Sequence, residues 1–130
     1  MFSKKYLIIG LVIAAILLAS VSSISAINKD EYSPVDYKQM DKNSDKFINK
    51  KLYATGTVFQ IMEDSSGGLI LLSVDGDSSQ NIGVMYKGTN DVVEDDTIPV
   101  YGTGTIDYDY QSKAGYKLSV PCILADEIEK

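Results

Sequence analysis

The chain has 130 residues, one cysteine, no histidine and a formal net charge of −6, and all twelve of its basic residues are lysines. The absence of histidine excludes catalysis by a histidine base and zinc or haem sites with histidine ligands. The single cysteine, Cys122, excludes an internal disulfide and is interpreted as a small buried thiol in a strand. The acidic balance disfavours nucleic-acid binding, because affinity for phosphates comes largely from Lys and Arg.

A membrane-targeting segment is predicted over residues 1–27. An unbroken apolar run, LIIGLVIAAILLA, follows Lys4 and Lys5. Small residues such as Ser23 and Ser25 suit a cleaved signal peptide, whereas the length up to residue 27 suits a retained signal-anchor helix. Both alternatives stay open, and the positive-inside rule places the rest of the chain outside the cytoplasm in either case.

The exported part is predicted to consist of a short charged tether, residues 28–32, and one domain, residues 33–130. About 100 residues are enough for a single hydrophobic core. Two of the lysines precede the apolar run, so this part carries ten lysines against all eighteen acidic residues, a net charge of −8. It also contains no arginine, the side chain best suited to bidentate phosphate and guanine contacts.

The domain is predicted to open with a short helix. Ser33 has the chemistry of an N-cap, Pro34 suits the first helical position, and Asp36 is placed as a capping-box acid. Tyr37 and Met40 fall on one face of such a helix, which indicates about two turns.

From residue 51 onward the pattern is that of β-strands separated by polar turns. Alternation and turn residues predict five strands, at Lys51–Met62, Leu69–Val74, Ile82–Tyr86, Ile98–Ile106 and Leu118–Ala125. Asn49 suits a left-handed turn into the first of them. The segment Asp107–Tyr116 is predicted to be a long loop between the last two strands, and residues 126–130 a charged tail.

Glycines in the strands indicate sharp curvature. In the first strand the apolar phase passes from Val58 to Phe59 and Ile61, beside Gly56, which predicts a bulge or bend. Gly102 and a second glycine two residues later stand at inward positions of the fourth strand, where they leave room for a large neighbour. We therefore expect an all-β fold, a small five-stranded OB-fold-like barrel preceded by a short helix, with an SH3-like barrel or a β-sandwich fragment as the alternative.

Several short motifs, taken in order, resemble a known family. They are Asn43-Ser44-Asp45-Lys46-Phe47, Gly56-Thr57-Val58, Val100-Tyr101-Gly102 and Val120-Pro121-Cys122-Ile123-Leu124-Ala125. Their order resembles that of the exported prokaryotic OB-fold proteins grouped as tRNA-anticodon-domain-like, over residues 35–128. The resemblance implies an OB fold, and the family's name implies nucleic-acid binding, although most functions in the group are unassigned. Asn49 departs from the pattern, which has Gly there.

Acidic motifs in the turns are interpreted as solvated turn residues, so no metal site and no cofactor is predicted. The run Asp41-x-Asn43-x-Asp45 begins like a calcium-binding EF-hand loop, but Lys46 stands where that loop requires Gly. Asp75-Gly-Asp77 is a second such run, without a further ligand in the sequence pattern. No catalytic constellation is present, and we expect no enzyme activity.

Tyrosines are the most suggestive candidates for a ligand site. Four lie on or between the last two predicted strands, beside the ligand face that OB folds use: Tyr101, Tyr108, Tyr110 and Tyr116. An apolar ring with a polar tip suits protein, peptide or carbohydrate surfaces. Ordinary cross-strand packing is the alternative explanation. We therefore expect an extracytoplasmic, membrane-anchored or secreted module that binds a protein, peptide, glycan or cationic ligand, with nucleic-acid binding as the disfavoured alternative.

Overall fold

The structure, a computed structural model, describes residues 27–111 and 114–130 and is mostly β. Its regular elements, in chain order, are a 3₁₀ turn (Lys29–Glu31), β1 (Ser33–Pro34), α1 (Tyr37–Lys42), a second 3₁₀ turn (Ser44–Phe47), β2 (Lys51–Asp64), β3 (Gly67–Val74), β4 (Asn81–Lys87), β5 (Thr97–Gln111) and β6 (Lys117–Ile128). The predicted all-β class and the five long strands are confirmed, and the two-residue β1 is an addition that the sequence did not predict. No helix among these described residues is long and apolar enough to cross a membrane, and the predicted membrane segment lies outside them except for residue 27.

The five long strands close into a ring. The sheet order is β1-β2-β3-β4-β6-β5, and an additional pairing of β5 with β2 closes the ring of long strands. β4 and β6 are parallel, whereas β2–β3, β3–β4, β5–β6 and β2–β5 are antiparallel. β2 takes part twice, because its N-terminal half pairs with β5 and its C-terminal half pairs with β3.

A β-bulge in β2 produces the bend that this double pairing requires. The register with β3 shifts between Val58 and Gln60, as the phase change in the sequence predicted. The sequence pattern had assigned Phe59 to the apolar phase, and this assignment was wrong. The extra residue of the bulge leaves the Phe59 side chain 39% exposed. Ile61 is half-buried and packs against the core, in agreement with the predicted phase.

Inward side chains of all five long strands form one hydrophobic core inside the ring. Met40 of α1 and Val92 of the β4–β5 loop complete it from outside the sheet. Two inward glycines of β5 are needed for close backbone contact, as predicted: a Cβ on Gly102 would collide with the carbonyl oxygen of Leu124, and one on Gly104 with that of Phe47.

The N-terminal part of the described chain differs from the prediction in two ways. Ser33 and Pro34 do not start the helix but pair in parallel with β2, and the amide of Val35 donates a 2.8 Å hydrogen bond to the carbonyl of Tyr53. The helix begins at Tyr37, three residues later than predicted, with Asp36 as its N-cap. The predicted tether, residues 28–32, is folded onto the sheet, and its Tyr32 is only 8% exposed. Residues 28–34 are called the N-terminal strap below.

The prediction of a long loop over Asp107–Tyr116 was wrong for most of this segment. β5 continues to Gln111 and β6 starts at Lys117, so the two strands form a long hairpin with a short turn. Charged residues did not stop these strands, because one face of the hairpin is apolar and packs on the sheet. The predicted charged tail is likewise partly strand, since β6 continues to Ile128.

Candidate functional site

The hairpin formed by β5 and β6 extends beyond the ring. β5 pairs with β2 only as far as Thr103, and β6 pairs with β4 only from Cys122. Between these limits Gly104 forms an isolated bridge with Ile48, and beyond it the two strands pair only with each other among the described residues. The described residues of this extension, 105–111 and 114–121, are called the hairpin arm. A register shift between Thr105 and Tyr108 bends the arm where it leaves the ring.

The arm covers the outer face of β3 and β4. All eight residues of β3 are buried, although alternate residues point away from the core inside the ring. A second apolar cluster explains this burial; it contains Leu69 and Leu71 of β3, Met85 of β4, and Tyr108 and Val120 of the arm. In OB folds, ligands bind on the face formed by the second and third long strands, which are β3 and β4 here. In this chain the arm's own side chains occupy that face.

Gly83 marks the closest approach of this packing. A Cβ at Gly83 would lie 2.6 Å from the sulfur of Cys122 and 3.0 Å from a methyl carbon of Leu69. The missing side chain therefore leaves room on the outer face of β4 for the side chain of Cys122, the register partner of Gly83 on the neighbouring strand β6. Cys122 is fully buried there, as predicted, and burial raises the pKa of its thiol to about 12. Such a thiol is not a nucleophile at neutral pH.

The four tyrosines predicted to bind a ligand do not form one site. Tyr108 is 3% exposed and packs in the second cluster, stacked with Tyr110 at a ring-centroid distance of 6.3 Å. Tyr110 is half-buried at the edge of the same cluster. Tyr116 lies in the turn of the arm and is 70% exposed. Of these three arm tyrosines, Tyr110 and Tyr116 present surface to a ligand, whereas Tyr108 is a packing residue.

Tyr101 belongs to a different cluster, on the outer face of β2 and β5. Its ring stacks on Tyr53 at 5.7 Å and meets Tyr32 edge to face at 5.5 Å. The ammonium group of Lys29 lies 5.2 Å from the centre of the Tyr101 ring, at cation–π distance. The N-terminal strap therefore already contacts Tyr101, which makes this tyrosine a docking residue for the strap.

Polar contacts fix the strap on the same face. The hydroxyl of Tyr32 donates a 2.7 Å hydrogen bond to Asp126, and the ammonium of Lys29 lies 2.9 Å from a carboxylate oxygen of Glu129. A further ion pair of 2.8 Å joins Glu31 to Lys51 at the start of β2. Burial and the hydrogen bond to Asp126 both raise the pKa of Tyr32. Tyr32 and Tyr53 were missed from the sequence; the outward phase of Tyr53 between Leu52 and Ala54 was the available signal.

The acidic turn motifs have structural partners. In the β3–β4 turn, a carboxylate oxygen of Asp77 accepts hydrogen bonds from the amide and hydroxyl of Ser79, at 2.9 and 2.6 Å, which lower the pKa of this carboxyl group. Asp64 has the same arrangement with Ser66 in the β2–β3 turn. Both side chains stabilise turns, in agreement with the interpretation of Asp75-Gly-Asp77 as turn residues.

Comparison with known proteins gives a likeness of fold. The chain matches no protein-family profile and no curated protein. Among solved structures it is similar to the mitochondrial single-stranded DNA-binding protein Rim1 of S. cerevisiae, with 12% identity and a TM-score of 0.42 over 62% of this chain and 92% of that one. An aspartyl-tRNA synthetase from Entamoeba histolytica aligns with 6% identity and a TM-score of 0.55, over 82% of this chain and 22% of the synthetase. A putative aspartyl-tRNA synthetase from Leishmania major aligns with 9% identity and a TM-score of 0.55, over 89% of this chain and 25% of the synthetase.

At these identities the likeness shows the fold alone, and the chain spans only 22% and 25% of the two synthetases. The two synthetases, each with a TM-score of 0.55, are neighbours of OB fold, which agrees with the closed ring of five long strands described above. The chain is therefore an OB-fold domain whose β3–β4 face is covered by its own hairpin arm. The predicted resemblance to tRNA-anticodon-domain-like proteins is consistent with this fold, and export stays a prediction.

Proposed function

We propose that this protein is an extracytoplasmic OB-fold binding module, held at the membrane by its N-terminal segment, whose partner is a cationic protein or peptide. The observation that carries the proposal is the covered β3–β4 face. Because Tyr108 and Val120 occupy it, the surface left for a partner lies on the arm and the rest of an acidic domain. Ten lysines against eighteen acidic residues favour a partner of positive charge.

The location rests on the sequence. Lys4 and Lys5 precede the apolar run, and by the positive-inside rule this order favours a domain outside the cytoplasm whether the segment is cleaved or retained. Intact mass measurement of the chain from the membrane fraction distinguishes the two forms, and digestion of intact cells by an external protease tests the exposed location. Full protection of the domain in intact cells, with digestion after lysis, would contradict it.

Nucleic-acid binding is the alternative, suggested by the names of the neighbours in fold. It conflicts with the net charge of −8 and with the absence of arginine. Single-strand binding by OB folds also uses aromatic side chains on which bases stack. Tyr108 is buried and the ring of Tyr101 is contacted by the strap, so two of the four predicted tyrosines are already engaged.

The arm is the surface best suited to a protein partner. Its outer face carries Asp107 and Asp109, both exposed, and Ile106 beside them is 56% exposed. Tyr116 at the turn and Leu118 on β6 add further exposed apolar area. Mixed apolar and acidic character of this kind suits a basic segment that also has apolar side chains.

A titration tests the proposal directly. The full-length chain, in nanodiscs of uncharged lipid, is titrated with fluorescent oligolysine, single-stranded DNA and single-stranded RNA at low and at physiological salt. We expect oligolysine to bind, more weakly as salt rises, and the nucleic acids not to bind. Saturable DNA or RNA binding tighter than that of oligolysine would overturn the proposal.

A pair of matched variants locates the site. Replacing Asp107 and Asp109 by Asn removes two charges from the arm, and replacing Asp41 and Asp45 by Asn removes two charges near α1. Both double variants have the same net charge. We expect the arm variant to lose at least about tenfold in affinity, roughly 1.4 kcal/mol, and the control to lose much less. Equal losses would mean that oligolysine responds only to total charge.

A further inference from the structure

Of the two edges of the hairpin arm, the β5 edge is the longer one without a partner strand among the described residues. From Thr105 to Gln111, β5 pairs with β6 on one side, and among the described residues no strand pairs with its other side. Seven residues of strand present an edge of about 20 Å, at roughly 3.3 Å per residue. An open edge of this length is a template for an added strand.

The backbone groups on this edge are oriented outward. Gly104 donates its amide hydrogen to the carbonyl of Lys50 and accepts from the amide of Asn49, so its backbone groups point away from β6 and those of Thr105 face Cys122. Val120, two residues before Cys122, faces β5 in the same way, so the backbone groups of its register partner Tyr108 point toward β6. Because successive residues of a strand direct their N–H and C=O groups to opposite edges, those of Asp109 and Gln111 point away from β6. These two residues provide donors and acceptors for an added strand.

The other edge of the arm is less suitable. On β6 the arm ends at Pro121, which has no amide hydrogen, and from Cys122 onward this strand is paired with β4. An added strand could therefore form only a few backbone hydrogen bonds with this edge of β6. The two edges of the arm thus differ, and the β5 edge is the one open to pairing.

The charges beside the β5 edge select the partner. Asp107 and Asp109 lie on one face, since the hydroxyl of Ser119 is 3.5 Å from Asp107 and Ser119 is also the register partner of Asp109. A second copy pairing antiparallel about a two-fold axis would bring these aspartates close to their own counterparts, which is unfavourable. A strand with Lys or Arg at alternate positions would instead face them with opposite charge.

We propose that the β5 edge from Thr105 to Gln111 binds an extended basic segment of the partner protein by β-strand addition. The inference rests on the proposed function and adds the mode of binding. The partner's main chain pairs with Asp109 and Gln111, and its alternate basic side chains face Asp107 and Asp109.

Backbone methylation of the ligand separates strand addition from simple charge attraction. The full-length chain in uncharged nanodiscs is titrated with an alternating Lys-Thr peptide and with the same peptide N-methylated at every second residue. Both peptides have the same charge. We expect the methylated peptide to bind at least about tenfold more weakly, because it lacks the amide hydrogens of one edge. Equal affinities overturn strand addition while leaving the proposed cationic partner in place.

Two proline variants test which edge is used. Gln111→Pro removes an outward amide from the β5 edge, and Ser119→Pro removes one from the β6 edge; neither changes the charge. We expect Gln111→Pro to weaken peptide binding several-fold and Ser119→Pro to leave it unchanged, with circular dichroism confirming that both fold. If either variant fails to fold, the comparison of the methylated with the unmethylated peptide still tests strand addition. The reverse order of effects, or a concentration-dependent dimer that the peptide does not dissociate, overturns the assignment of edge and occupant. Absence of binding by any cationic ligand instead refutes the proposed function.

Discussion

The hydroxyl of Tyr32 donates a 2.7 Å hydrogen bond to the carboxylate of Asp126, which joins the N-terminal strap to β6 across 94 positions of sequence. The same oxygen of Asp126 lies 3.3 Å from the hydroxyl of Thr103 on β5. Strap, β5 and β6 therefore meet at one carboxylate. This contact makes the strap part of the fold.

Replacing Tyr32 by Phe removes this hydrogen bond and keeps the ring packing against Tyr101. We expect the free energy of unfolding to fall by about 1 kcal/mol, the usual net value of such a bond, while Asp126 retains its contact with Thr103. Urea unfolding of the purified protein measures the change. Tyr53→Phe is the matched control, because it keeps the ring that stacks on Tyr101, and it should change the stability by less than about 0.5 kcal/mol. Equal stability of all three proteins would show that the strap contact contributes nothing.

Alkaline pH is expected to destabilise the fold through two tyrosines. Burial, together with hydrogen bonds to Asp126 and Glu63, raises the pKa of Tyr32 and of Tyr86 above the ordinary value of 10.0. The folded protein then holds protons that the unfolded chain releases. This contribution to stability is complete below about pH 10 and is lost as pH rises through the range above it.

Urea unfolding from about pH 8 to about pH 11 checks this dependence. The free energy of unfolding should decline above about pH 10, and the double variant Tyr32→Phe, Tyr86→Phe should show a shallower decline than the natural protein. An identical slope in the double variant would assign the decline to other groups.

Features governed by local geometry could be predicted from the sequence. Alternation placed the five long strands, the phase change beside Gly56 placed the bulge of β2, and Asn49 has the left-handed φ of 68° expected for a turn. Gly104 was identified as a position of close approach because an inward glycine leaves space. Each of these depends on residues adjacent in sequence.

Features that depend on distant partners could not be predicted. Ser33 and Pro34 have the chemistry of a helix start, but pairing with Leu52 and Tyr53 holds them extended. The sequence pattern predicts that Tyr108 is an exposed loop residue. It is buried because it packs on the apolar outer face of β3, which is distant in sequence. The separation of Tyr101 from the arm tyrosines could not be predicted for the same reason, since nothing in the local pattern shows that the outer face of β3 and β4 is occupied by the chain itself.

The contact between Gly83 and Cys122 predicts a steric conflict in β4. Gly83→Ala would place a Cβ 2.6 Å from the Cys122 sulfur, and we expect overpacking to lower the stability by about 1–3 kcal/mol. Cys122→Ala alone leaves a small cavity and should lower it by roughly 1 kcal/mol. The double variant should be less destabilised than the sum of the two, because the smaller side chain makes room for the new methyl group. Strict additivity in thermal or urea unfolding would contradict this packing.

Two tyrosines of the hairpin arm are expected to separate folding from binding. Tyr108→Ala removes a ring that is 3% exposed and covers β3 and β4, so the free energy of unfolding should fall by about 3–5 kcal/mol. Tyr116→Ala removes a ring that is 70% exposed and should change it by less than about 0.5 kcal/mol. If the arm contacts the partner, Tyr116→Ala should nevertheless weaken binding of the alternating Lys-Thr peptide.

Near-neutral stability in Tyr108→Ala would mean that the arm does not pack on β3 and β4. The outer face of those strands would then be available as in other OB folds, and the argument for a binding site on the arm would lose its basis. A large stability loss in Tyr108→Ala, with unchanged folding and weaker binding in Tyr116→Ala, would place the partner on the exposed side of an arm whose other side is core.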